Sequence, residues 1–161
     1  MIAVDIHSND ELRDLYRELI VDHARSPRHF GKLSDATHTA EGINPLCGDK
    51  LRLFVRLGDD NVISAVKFEG SGCAISVASA SLLTELVTEM TVDEALVYFT
   101  AVTRRLTDPD KSNDNDEAID LGKLRALDGV REFPSRVKCA TLAWHALNSA
   151  IHGQSATVST E

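Results

Sequence analysis

The side chains of this 161-residue chain best suited to hold a metal or to carry reactive sulfur are its three cysteines, Cys47, Cys73 and Cys139, together with Asp49. Cys47 and Asp49 stand in Asn44-Pro45-Leu46-Cys47-Gly48-Asp49, where Pro and Gly favour a loop and a single Gly separates two potential ligands. A loop can turn both toward one ion. Cys73 follows Gly70-Ser71-Gly72 at a predicted helix start, and Cys139 falls in the first turn of another predicted helix. Free N–H groups and the helix dipole favour thiolate over thiol there, so a low thiol pKa is expected at both. Three thiolates and a carboxylate are a chemically suitable tetrahedral set for Zn(II), with Zn–S near ~2.3 Å and Zn–O near ~2.0–2.2 Å. The same set could hold part of an iron–sulfur cluster. The long intervals between the cysteines match no zinc-finger spacing. Residue types and local context therefore leave a second reading open, in which three buried cysteines act as small hydrophobes and Asp49 is an ordinary turn aspartate.

These positions must be brought together by the elements around them. Leu12, Leu15, Tyr16, Leu19, Ile20 and His23 form a helical stripe that predicts a helix over about 9–25, with Ser8 and Glu11 at capping-box spacing and Pro27 and Gly31 ending it. Alternation of Leu51, Leu53, Val55 and Leu57 predicts a half-buried strand. The turn residues Gly58-Asp59-Asp60-Asn61 and a second strand over 62–68 make this an antiparallel hairpin, and a third short strand is expected near 38–42. Ala74 to Val87, rich in Ala, Ser and Leu, predicts a closely packed helix with Cys73 at its entrance. Thr91 and Glu94 form a second capping box ahead of a third helix, and the acidic run Thr107 to Glu117 reads as an exposed loop. A short helix over 121–127 follows, then a break at Phe133-Pro134-Ser135, then a helix over 137–151 capped by Gly153. Gln154 to Glu161 has the composition of a frayed tail. The expectation is one domain over 1–153 with a flexible tail at 154–161. Its fold is α+β, a small, mainly antiparallel three-stranded sheet covered on one face by about five helices.

Composition narrows the function classes. With 17 Lys+Arg against 25 Asp+Glu the chain carries a net charge of −8, which argues against a nucleic-acid partner. No run approaches the ~18 apolar residues of a membrane span. The start, MIAVDIHSND, has no basic patch followed by an apolar stretch, so no secretory signal is expected and the protein is expected in the cytoplasm. An odd number of cysteines in a reducing compartment points away from a disulfide framework and toward metal or thiol chemistry.

A set of specific strings then carries a family resemblance. Leu15-Tyr16-Arg17-Glu18, Asp22-His23, Ser26-Pro27-Arg28, Ile43-Asn44-Pro45-Leu46-Cys47-Gly48-Asp49, Phe68-Glu69-Gly70-Ser71-Gly72-Cys73-Ala74-Ile75-Ser76 and Ala78-Ser79-Ala80-Ser81 occur in order. Ile119-Asp120-Leu121-Gly122, Leu127-Asp128-Gly129-Val130 and Phe133-Pro134-Ser135-Arg136-Val137-Lys138-Cys139-Ala140-Thr141-Leu142-Ala143-Trp144 continue the match. Over about 12–151 the chain resembles the SufU branch of the IscU/NifU-N-like superfamily, iron–sulfur cluster assembly proteins. Two differences separate it from the IscU-type scaffolds of that superfamily: Lys138 stands where they carry a His before the third cysteine, and Phe133-Pro134-Ser135-Arg136 replaces their chaperone-recognition string. The stretch from about 107 to 128 looks like the insertion that distinguishes SufU proteins.

The resemblance implies zinc held by Cys47, Asp49, Cys73 and Cys139. It further implies that Cys47 accepts sulfane sulfur from a SufS-type cysteine desulfurase, whose His replaces the Cys47 thiolate on zinc, and that the sulfur passes to a SufBCD-type assembly complex. A scaffold holding iron or a [2Fe–2S] cluster on the same thiolates is the alternative, and a zinc that only staples the fold is a third reading. Arg136, three residues before Cys139, is expected near the metal as a catalytic residue. Tyr16, Arg17 and Arg28 are expected to help dock the desulfurase. Gly70 and Gly72 are read as permitting close backbone approach to the metal, and His23 as a core or boundary histidine. The other histidines have no paired spacing with the cysteines.

Overall fold

The computed structural model describes residues 2–107, 120–153 and 157–160, with residues 2–10 as backbone only. In chain order these form α1 (Ile2–Arg25), β1 (His38–Asn44), β2 (Asp49–Leu57), β3 (Ile63–Ser71), α2 (Ala74–Val87), α3 (Val92–Thr107), a 3-10 segment (Gly122–Val130), α4 (Pro134–Ile151) and β4 (Val158–Ser159). The architecture is α+β with five helical segments, as expected, but the sheet has four strands instead of three, in the order β3-β2-β1-β4. The pairs β1–β2 and β2–β3 are antiparallel. β4 runs parallel to β1, with Gly42 opposite Val158 and Ile43 opposite Ser159, and the Thr160 N–H donates to Ile43 O at 3.1 Å. Part of the tail expected to fray is thus paired, and two residues are too short for alternation to betray a strand.

Leu51, Leu53 and Val55 of β2, with Val66 and Phe68 of β3, are buried on the sheet face that the helices cover, while Lys50 and Arg52 between them are exposed. Trp144, Leu142 and Leu147 of α4 and Leu83 of α2 complete the core. α4 comes closest to β1 at Gly42, where an added Cβ would lie 3.0 Å from Leu142 Cδ1 and 3.6 Å from Ala146 Cβ. Cys139, Leu142 and Ala146 share one face of that helix by their i, i+3, i+7 spacing. The bare backbone at Gly42 therefore lets α4 lay Cys139 against the end of β1. On the outer edge of β3, the Phe68 N–H donates to His29 O at 3.1 Å, the Gly31 N–H to Phe68 O at 2.7 Å and the Glu89 N–H to Ile63 O at 2.7 Å.

Several boundaries depart from expectation. α1 already runs through Ser8, so the Ser8–Glu11 spacing marks no helix start; once nucleated, a helix gains a hydrogen bond for each residue it adds. α4 begins at Pro134, not after it, because proline suits the first helical position, where its missing N–H is of no consequence. Cys139 consequently sits in the second turn. The second capping box forms as expected: Thr91 Oγ1 accepts the Glu94 N–H and Glu94 Oε1 accepts the Thr91 N–H, both at 3.1 Å. The acidic run 108–117 lies outside the described residues.

His23 is buried between α1 and α2, as expected of a core histidine. Its Nδ1 is 2.6 Å from Ser81 Oγ, which also accepts the Arg28 N–H at 2.8 Å, and its Nε2 is 3.6 Å from Glu85 Oε1. Burial first, and then the Arg28 cation, hold the His23 pKa below the ordinary histidine range against the opposing pull of Glu85. Burial lowers His145 as well. The unfolded chain therefore binds more protons than the folded one below about pH 6.5, and stability is expected to fall as pH drops through that window. Urea midpoints at about pH 7.5 and about pH 5.5 test this: His23→Gln should show a smaller acid loss than wild type, and an equal loss would remove His23 as a source.

Candidate metal centre

The β1–β2 connection is a tight loop closed by the pairing of Asn44 with Asp49. The Cys47 N–H donates to Asn44 O at 3.1 Å, and Gly48 takes φ +74°, a left-handed conformation that glycine adopts without a Cβ penalty. Cys47 is exposed at the loop tip, while Asp49, the first residue of β2, is buried. Asp49 Oδ1 accepts the Cys73 N–H at 2.8 Å, satisfying a donor at the start of α2 that has no partner within the helix. Cys73 is the N-cap of α2, and its Sγ accepts the Ser76 N–H at 3.4 Å.

Two glycines make this approach possible. A Cβ on Gly72 would stand 2.6 Å from Asp49 Oδ1, and one on Gly70, at φ +139°, would stand 2.0 Å from Lys50 O. The room they leave is taken by Asp49 and by the β2 backbone.

Cys139 is buried; its thiol donates to Ser135 O at 3.4 Å and its Sγ accepts from Asn44 Nδ2 at 3.5 Å. Cys47, Asp49 and Cys139 each place a ligand atom within 4.8 Å of the others. Cys73 lies outside that trio but adjoins it, with Sγ 3.9 Å from Asp49 Oδ2. Burial pushes the Cys139 thiol up, and Asp49, Cys73 and Cys47 add to the shift. This reverses the expectation of a low pKa for Cys139, since the helix start is a turn away and the nearest groups are themselves acidic. Crowded acidic groups of this kind ionise together when a cation sits among them, and thiolates with a carboxylate suit zinc or iron. The donor set therefore fits such a metal.

Arg136 does not join the cluster. It is exposed, its guanidinium lies 5.0 Å from the centre of the Phe133 ring, and among the described residues no side-chain hydrogen bond or ion pair links it to a cysteine or to Asp49. Arg136→Ala is therefore expected to leave the metal-to-protein ratio of the purified protein at the wild-type value, measured by elemental analysis; a clear drop would show that the guanidinium does reach the site. No described histidine belongs to the trio. His29 meets Thr84 Oγ1 at 3.0 Å, and His145 packs edge-on to Phe99. Tyr16 is half-buried against the core, Arg17 is exposed, and Arg28 pairs with Asp22 at 2.6 Å. The residue that sequence reasoning missed is Asn44, which is fully buried and in contact with Cys139. As an Asn before Pro it reads only as turn chemistry, and the available signal was its place at the strand end opposite Asp49.

Comparison with known proteins adds the following. A family model described as the NifU-like N-terminal domain matches residues 15–156. The zinc-dependent sulfurtransferase SufU of Bacillus subtilis is 41% identical over 143 residues, covering 89% of this chain and 93% of that protein. The iron-sulfur cluster assembly scaffold protein IscU of Streptococcus pyogenes serotype M1 is 38% identical over 141 residues, covering 88% and 85%. A crystal structure from Fervidobacterium islandicum AW-1, provisionally described as an iron-sulfur cluster assembly scaffold protein for the SUF system, superposes with a TM-score of 0.73 at 33% identity, covering 83% of this chain and 94% of that one.

Proposed function

Because this chain belongs to the NifU-like N-terminal domain family, we propose that it serves iron–sulfur cluster assembly as a zinc-dependent sulfurtransferase. On this reading it takes persulfide sulfur from a SufS-type cysteine desulfurase and relays it to a SufBCD-type assembly complex. The observation that carries the reading is one exposed cysteine, Cys47, at the rim of a cluster whose other closest members, Asp49 and Cys139, are buried. Such a site has two fixed ligands and one that a partner can reach. The name borne by the B. subtilis relative supports the same reading.

Cys47, Asp49, Cys73 and Cys139 are the residues that would hold zinc. Bound zinc would keep the thiolates deprotonated near neutral pH. Cys47 is the nucleophile: its thiolate attacks the outer sulfur of the donor persulfide, R–S–SH, giving Cys47–S–SH and R–S⁻. One S–S bond forms as one breaks, the donor thiolate leaves, and no external oxidant or reductant is consumed. Asp49 holds the start of α2 against the loop, so Cys73 and Cys47 stay on one side of the sheet. Arg136, which among the described residues makes no hydrogen bond or ion pair to the cluster, is left out of the reacting set.

A scaffold role is the second reading, favoured by the affinity of the same thiolates for iron and by the name of the S. pyogenes relative. One experiment separates the two. Zinc-loaded and zinc-stripped protein are each mixed with a SufS-type desulfurase, cysteine and reductant; alanine release is followed, and peptides are mass-mapped for one added sulfur. Transfer predicts stimulation that requires zinc and an adduct on Cys47. No stimulation, together with a cluster that forms on anaerobic addition of iron and sulfide and passes to an acceptor, would replace it with the scaffold reading.

A further inference from the structure

We propose that Asn44 is a positioning residue that fixes Cys139 as a permanent sulfur ligand and so helps leave Cys47 as the sulfur that exchanges and reacts. The part concerning Cys47 rests on the sulfur-transfer reading above; the part concerning Cys139 does not.

Asn44 meets three of the site's positions at once. Its carbonyl accepts the Cys47 N–H at 3.1 Å, its place in the sheet is opposite Asp49, and its Nδ2 donates to Cys139 Sγ at 3.5 Å. The side chain is fully buried, and its Oδ1 has no hydrogen-bond partner among the described residues. A buried acceptor without a partner is destabilising, and an apolar residue of the same shape avoids that cost. An amide kept there under those terms is explained by what its other end does.

That end touches sulfur. Beside its acidic neighbours Asp49, Cys73 and Cys47, Cys139 Sγ has two hydrogen bonds: the one to Ser135 O needs the thiol proton, while the one from Asn44 Nδ2 needs only a lone pair on sulfur. When Cys139 becomes a thiolate ligand the first contact is lost and the second strengthens, because the acceptor is now charged. An N–H···S bond holds the sulfur in place and draws electron density from it, so it attacks less readily. Cys73 Sγ has a comparable donor in the Ser76 N–H. No N–H donor reaches Cys47 Sγ among the described residues, and that cysteine alone is exposed. The three sulfurs are thus unequal: two are tethered by N–H groups and one is free to leave.

Asn44→Leu tests this by keeping the buried volume while removing the donor and the orphaned acceptor together. Its metal-free form is expected to melt at or above the wild-type temperature, yet to release zinc to a chelator about 10–100-fold faster, the usual effect of losing an outer-shell partner. After treatment with a small-molecule persulfide, added sulfur should appear on the Cys139 peptide as well as on the Cys47 peptide. Unchanged zinc release with sulfur confined to Cys47 would overturn the proposal. So would zinc loss that merely tracks a lower melting temperature, the mark of a packing role. If wild type gains sulfur on no cysteine, the transfer reading fails while the zinc-release comparison still decides whether Asn44 fixes Cys139. A measurement on wild type guards against a variant that does not fold. In ¹⁵N-labelled protein loaded with ¹¹³Cd, the Asn44 side-chain N–H should show scalar coupling to the metal through Cys139 sulfur, and absence of that coupling would also overturn the assignment.

Discussion

Cys47→Ala is expected to reduce desulfurase stimulation to the level seen without this chain, while changing the folding stability of the metal-free protein by no more than about 0.5 kcal/mol. The two halves of this expectation have different origins. Stability is spared because the side chain is exposed on a loop, and the backbone N–H that closes that loop onto Asn44 O is untouched. Activity is lost because no other sulfur in the cluster is both exposed and free of an N–H donor: Cys139 is buried on α4, and Cys73 caps α2. Zinc should still bind, more weakly, through the remaining Asp49, Cys73 and Cys139. Alanine release in the coupled assay, and thermal unfolding of the metal-free proteins, check the two halves, and stimulation at the wild-type level would sink the assignment of Cys47 as acceptor.

Gly72→Ala is expected to damage the site without touching a ligand. The new Cβ would lie 2.6 Å from Asp49 Oδ1, closer than a Cβ approaches unbonded neighbours, and a tight 3.1 Å from its Cγ. Asp49 is short and buried, so it has little freedom to swing aside, and any retreat lengthens its hydrogen bond from the Cys73 N–H at the start of α2. Overpacking and a weakened helix start each cost about 1–3 kcal/mol where they occur. The carboxylate also leaves its place beside Cys47 and Cys139, so zinc affinity should fall by about 10-fold or more. Gly129→Ala, with nothing within 4 Å of the added carbon, is the control and should behave as wild type. A Gly72→Ala protein that binds zinc as tightly as wild type would show that Asp49 is not held where the structure places it.

Much of this architecture is legible in the residues. Alternation marks β2, the turn residues mark the hairpin that joins it to β3, and Thr91 with Glu94 marks the start of α3, because each signal is local and so is its physical cause. The convergence of Cys47, Asp49 and Cys139 is different in kind. No spacing encodes it; it depends on α4 meeting β1 at Gly42, a contact between residues far apart in the chain, so residue types alone leave a shared site and three separate buried cysteines both open, and resemblance to known proteins favours the first. Cys139 was misplaced by a turn because Pro134 reads equally well as an end or a beginning of a helix, and the choice between them is made by tertiary packing. Arg136 was drawn to the site by its distance along the chain from Cys139, whereas a helix sends residues three apart in directions that packing decides, and here Phe133 receives the guanidinium. Asn44 stayed hidden because burial of a single polar residue at a strand end leaves no periodic trace.

The two borders of the sheet bear on how the molecule avoids its own kind. A strand border with free N–H and C=O groups is a template for another chain, and proteins blunt such borders with short, irregular or charged cover. Here His29 to Gly31 and Glu89 to Met90 occupy the outside of β3 at two points, and the two residues of β4 occupy the outside of β1 at Gly42 and Ile43, the end nearest the cysteine loop. Among the described residues, the outside of β1 is left without a strand partner at His38 to Glu41 and at Asn44, and Glu41 is tied to Arg52. The brief strand β4 thus acts as a guard against self-templating, shielding backbone beside the loop that carries the exposed Cys47.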